Sequence, residues 1–250
     1  MSAGLAEYML RLGDDRLVLG HRLSEWCGHA PIVEEDIALA NVALDCIGQA
    51  SAWLGLAGEL EGSGRDADAL AFFRGPTEFR SCLLVEQPNG DFACTIARQV
   101  LFDAAGANVL DQLSRSREAR VAGIAQKAAV EVRYHVRHAR EWWLRLGDGT
   151  PESHARMQRA IDELWPYTAE LWTPDELDAS LAPIGVGANL ELTKLHFERE
   201  LAELFARTGL HAAESPLAIS GGRRGKHGEH LDHLLSEMQS VARAHPGARW

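Results

Sequence analysis

KAAVEVRYHVRHAREWWLRLGDGT, residues 127–150, decides the fold class of this chain. At 100° per residue, Glu131, His135, His138 and Trp142 fall on one stripe, and Val132, Val136, Ala139 and Trp143 on the stripe beside it. Arg133, Arg137 and Arg140 lie further round, toward solvent. Gly147-Asp148-Gly149 ends the pattern, and Thr150-Pro151-Glu152 starts another helix, with proline in its first turn. An apolar helix face that carries a carboxylate and two imidazoles poses a choice. Either a metal lies inside a helix bundle, or the polar groups satisfy one another in a buried network.

Helical periodicity extends outward in both directions. Leu5–Leu12 reads as a short helix ended by Gly13, with Asp14 capping the next one as far as Trp26. From Ile32 to about Leu60 the pattern is helical, although Gly48, Gly55 and Gly58 weaken it. Asp66–Phe73 adds about two turns. Arg74–Gly90 is the least helical part, with Gly75-Pro76 and Gln87-Pro88-Asn89-Gly90 as turn signals. Helices follow from Asp91 to about Leu113, from Glu118 to Leu146, and from Thr150 to Trp172 with a kink at Pro166. A shorter one ends near Pro183, another spans Asn189–Thr208, and a last one runs to about Ala244. No alternating strand pattern, repeat or linker interrupts this. The expectation is an all-α ferritin-like bundle of four long helices with additional peripheral helices, a single domain over residues 1–250.

The bulk numbers narrow the partners. With 250 residues and 46% hydrophobic side chains, a large core is available. A formal net charge of −11 disfavours a nucleic-acid surface, which needs clustered Lys and Arg. Cys27, Cys46, Cys82 and Cys94 have no CxxC spacing and read as buried thiols of a reducing compartment. No signal peptide and no run of about 18 apolar residues is evident, so a cytoplasmic protein without a membrane span is expected.

A carboxylate-bridged di-metal site would need Glu-x-x-His on two helices and a Glu on two others. Not one of the eleven histidines has Asp or Glu three residues before it, and HExxH is absent. Asp45 and Asp103 both sit among apolar neighbours on their helices, and buried carboxylates need partners. A metal-free polar cluster of Asp45, Asp103, Glu131 and His135 is therefore expected. His227, His230 and His233 recur every three residues, a spacing that seldom converges from one α-helix, so zinc there is disfavoured. No GxSxG, Walker loop or GxGxxG occurs. For an anionic ligand, Glu78, Phe79, Arg80 and Ser81 after Gly75-Pro76 are one candidate, and the basic loop Gly221–Lys226 is its rival.

Several stretches together resemble one family. They are LGDDRLVLGHRLSEWCGHAP at 12–31, DIALANVALDCIGQA at 36–50, LLVEQPNGDFACTIARQ at 83–99, EVRYHVRHA at 131–139, RLGDGT at 145–150 and TAELW at 168–172. The tail GGRRGKHGEHL, then EMQ and PGARW, completes the order. Over nearly its whole length the chain is similar to the C subunits of phenylacetyl-CoA epoxidase, a bacterial multicomponent monooxygenase. The resemblance implies a ferritin-like, non-catalytic structural subunit beside a homologous catalytic subunit that carries the di-iron centre. A small bridging subunit and a reductase with NADPH, flavin and iron–sulfur groups complete the assembly that epoxidises phenylacetyl-CoA. It implies no cofactor bound by this chain. Asp103-Ala-Ala-Gly106 stands where a ligand-bearing relative would need Glu-x-x-His. An independent ferritin-like metal-binding oxidase and a helical scaffold are the alternatives.

Overall fold

A computed structural model describes residues 2–213 and 217–248. Arg249 and Trp250, which close the family-like tail, lie outside the described residues. In chain order the helices are α1 (Ser2–Ser24), α2 (Val33–Glu61), α3 (Ala67–Phe72), α4 (Leu83–Glu86), α5 (Phe92–Leu113) and α6 (Ala119–Gly147). After them come α7 (Pro151–Leu164), α8 (Glu176–Leu181), α9 (Leu190–Thr208), α10 (Glu229–Met238) and α11 (Ser240–Ala244). No strand occurs among the described residues, so the all-α expectation is met. α1, α2, α5 and α6 each exceed twenty residues, the complement of long helices of a ferritin-like bundle. The chain forms two compact units: residues 1–88 with 221–250, and residues 89–220.

In the first unit α1 packs along α2. The expected break at Gly13 does not occur, and α1 runs unbroken through it. A Cβ on Gly13 would sit 2.7 Å from Leu54, and one on Gly20 would sit 3.0 Å from Ile47 and 3.2 Å from the Ala43 carbonyl. The two glycines thus serve close approach to α2 rather than termination. α2 buries Leu39, Val42, Cys46, Ala50, Trp53, Leu54 and Ala57 and ends on Gly62 in the left-handed region at φ 71°. By length and composition alone, α2 is the one helix among the described residues long and apolar enough to cross a membrane. Alanine, glycine and leucine with few charges produce that composition, and its large side chains just named are buried inside the unit. The last helix is two: Gln239 interrupts it, its side-chain amide donating to the carbonyls of Ala71 (2.9 Å) and Arg74 (3.1 Å).

In the second unit α5 packs against α6, α7 and α9. Side-chain caps match the sequence signals: Asp91 accepts from the Cys94 amide (3.0 Å), Thr150 from Ser153 (3.1 Å), and Asn189 from Glu191 (3.0 Å). α6 buries Val121, Ala125, Ala128, Val132, His135, Ala139 and Trp143, so its inward line runs between the two stripes expected from the sequence. α7 ends at Leu164, and Trp165–Leu171 is a 3-10 turn instead of a kinked continuation. Pro166 has no N–H to donate, and its ring would crowd the carbonyl four residues back. Trp165 and Trp172 pack on Phe197 of α9 with ring centroids 6.0 and 4.4 Å away.

Candidate functional site

The interior of the second unit holds three of the four residues expected to form a polar cluster. Asp103 and His135 are fully buried on α5 and α6, and Glu131 is half-buried. Asp103 accepts a short hydrogen bond from the Gln99 side-chain amide, one turn earlier on α5. Beside Asp103 is a small cavity of about 10 Å³, room for about one water, lined by Val100, Ala104, Val136, Arg140, Glu200 and Leu204. Arg140 is paired with Glu200 and with Glu203 (3.0 Å). His135 and His138 both adjoin the Tyr134 ring, His138 stacked on it at 6.2 Å. Asp45, the fourth member, lies half-buried on α2 in the first unit.

This donor set does not fit a di-iron centre. A guanidinium lines the cavity where a metal would need only electron-pair donors, and it already occupies the Glu200 carboxylate as an ion pair. Among the described residues no three His, Cys, Asp or Glu side chains converge in a way that could hold a metal ion. The histidines at 227, 230 and 233 diverge as their spacing requires: His227 is tied to Glu86, the His230 carbonyl accepts from Arg22, and His233 is exposed.

A denser ionic network lies in the first unit, where the sequence offers only a helix cap. Asp14 and Asp15 are buried in mid-helix. Asp14 is held by the Arg74 guanidinium through two hydrogen bonds and by the Arg80 amide at 2.7 Å. Burial pushes the Asp14 carboxyl up, against the pull of Arg74 and of that amide. Asp15 accepts the Cys82 amide (2.7 Å) and a two-pronged contact from Arg223 at 2.9 and 2.7 Å. Glu86 accepts from His227 (2.9 Å) and from the Gly228 amide (2.9 Å), while its carbonyl takes Arg22 at 2.9 Å. His227 faces an acceptor with each nitrogen, the Glu86 carboxylate and the Phe79 carbonyl at 3.1 Å. Burial pulls its pKa down, yet these two partners outweigh burial and hold it above the usual histidine value. The signal in the sequence is a pair of acids, Asp14-Asp15, among leucines in a helix, together with arginines at 74 and 223 in glycine-containing turns.

Both anion-site candidates belong to this network. The Gly75 amide donates to Glu78 (2.8 Å), Phe79 is buried beneath the Arg74 guanidinium at 4.2 Å, and Ser81 is fully buried. The Arg80 guanidinium is engaged by Glu7 (2.8 Å) and by the carbonyls of Thr77 and Phe79. The loop at 221–226 packs directly on this segment. A Cβ on Gly222 would lie 2.2 Å from the Ser81 carbonyl oxygen, and one on Gly225 2.2 Å from that of Thr77. The rivals are two faces of one structure. Within that loop Arg224 and Lys226 remain exposed.

Comparison with known proteins closes the identification. The C subunit of the 1,2-phenylacetyl-CoA epoxidase of Escherichia coli (strain K12) is 46% identical over 246 residues, covering 98% of this chain and 99% of that protein. Residues 1–250 match the family described as phenylacetic acid catabolic protein. The chain belongs to that family.

Proposed function

We propose that this chain is the non-catalytic structural subunit of a cytoplasmic phenylacetyl-CoA 1,2-epoxidase, pairing with a homologous catalytic subunit that carries the di-iron centre. The carrying observation is the 46% identity to an epoxidase C subunit over essentially both whole chains. The Arg140 guanidinium beside Asp103 and Glu200 supports a role without a metal of its own. The complex consumes one O₂ and one NADPH with a proton; one oxygen atom enters the ring as the epoxide and the other leaves as water. A reductase with flavin and iron–sulfur groups supplies the electrons, and a small subunit bridges the pairs. On the substrate side, Arg224 and Lys226 suit the CoA phosphates better than Glu78, Phe79, Arg80 and Ser81, whose polar groups are committed or buried.

Reconstitution tests this reading. Co-expressed with the catalytic subunit, the chain should co-purify in a complex that epoxidises phenylacetyl-CoA in the presence of reductase, with iron confined to the sister chain on separation. Stoichiometric iron in this chain, or full epoxidation by the sister and reductase without it, would refute the assignment.

A further inference from the structure

α2 turns an unusual face to solvent. Val33, Ile37 and Leu44 are 71%, 59% and 66% exposed, and Asn41, Gly48 and Ala52 continue the same line at steps of three and four residues. A Cβ added at Gly48 or Gly55 would meet nothing within 4 Å. Glycine inside a helix is destabilising relative to alanine. Gly13, Gly20 and Gly58 are each explained by an atom that a Cβ would strike, but Gly48 and Gly55 are explained by nothing among the described residues. Large aliphatics at one end and a shallow channel of small residues at the other make a surface shaped to receive another helix at close range.

Charge says what kind of helix. Glu34 and Glu59 stand exposed beside this line, Asp45 is half-buried next to it, and α2 carries no Lys, Arg or His. A second copy of α2 laid face to face would set these acids against one another with no cation from either helix to offset them, a like-charge juxtaposition that selects against self-pairing. The complementary occupant carries Lys or Arg on either side of an aliphatic or aromatic ridge, a composition common at interface centres. We propose that the outward face of α2 docks a basic helix of the catalytic sister subunit, with a large side chain of that helix seated over Gly48. The inference rests on the pairing proposed above and adds the surface through which it is made.

The test uses the full-length chain co-purified with its sister subunit, and titration of one into the other. Gly48→Leu places its side chain in open space, so it should fold as well as the wild type by thermal melting while weakening pairing by about 30-fold or more, the effect of a central interface residue. Leu44→Lys and Glu34→Lys should weaken it too, whereas Leu195→Lys, at an equally exposed leucine on α9, should leave it unchanged. If the wild-type chains fail to pair, the functional reading and this inference fall together. If they pair and the α2 variants pair equally well, the functional reading stands and the α2 surface is wrong. If the α2 variants abolish only self-association of the isolated chain, the occupant is a second copy and the proposal is overturned.

Discussion

His227 is a histidine whose surroundings leave little room for a neutral ring. With a carboxylate on Nδ1 and a carbonyl on Nε2, both nitrogens face acceptors, and only the doubly protonated ring can donate to both. Its folded pKa is raised, so its contribution to stability is fully present below the unfolded value of about 6.5 and is lost as pH rises through the higher folded value. His21 works in the opposite sense: burial lowers its pKa, so its contribution is lost as pH falls below about 6.5. Replacing His227 by Gln should therefore cost about 1.5–3 kcal/mol near pH 6, the worth of a charge-assisted hydrogen bond, and progressively less as pH rises. Urea unfolding of both proteins across pH 5.5–9 measures the difference. A gap that stays constant or widens with pH would contradict the charged assignment. Asp14 and Asp15 show the limit of residue-level reading, because a carboxylate after glycine reads as a cap until arginines 60 and 208 residues away in sequence are known to face it.

At the level of elements, most helix boundaries are legible because their signals are local. Asp66, Asp91, Thr150, Asp175 and Asn189 all cap where a short polar side chain precedes a periodic run. Glycine and proline mislead. Gly13 reads as a stop and is a contact point, and Pro166 reads as a kink and converts the segment to a 3-10 turn. The role of Gly13 depends on what packs against it, which spacing within one helix does not encode, and proline's missing N–H does not by itself say whether a helix kinks or stops. Gly58 sharpens the point. A Cβ there would lie 2.0 Å from the Arg65 carbonyl oxygen, where the chain folds back after α2. Gly58→Ala should destabilise the protein by about 1–3 kcal/mol despite the better helix propensity of alanine, because overpacking outweighs it. A melting temperature equal to or above that of the wild type would show that the turn at 62–66 yields freely.

For the molecule as a whole, the sequence shows the helices but not which of them associate. Asp45 and Asp103 resemble each other as carboxylates on apolar helices, yet they belong to different compact units. Asp103 and His135, expected inside from their helical neighbours, are buried in the second unit, while the ionic centre of the first has no local signature. The first unit needs its C-terminal segment, since Arg223 binds Asp15, His227 binds Glu86, and Gln239 and Arg243 hold the carbonyls near Arg74. A chain ending at Ser220 should lose hydrogen-exchange protection in α1 and α2 while α7 and α9 keep theirs. Equal protection throughout would mean that the segment is dispensable to the unit it joins.

The pairing of Asp15 with Arg223 also sets a timetable for synthesis. The two residues are 208 positions apart, so at roughly 5–20 residues per second the carboxylate is made about 10–40 s before its cation. During that interval residues 89–220, contiguous in the chain, can complete their own fold, whereas in the first 88 residues Asp15 and Glu86 wait for Arg223 and His227. The buried acids of the first unit are thus made early and neutralised late, by a segment translated after the whole second unit.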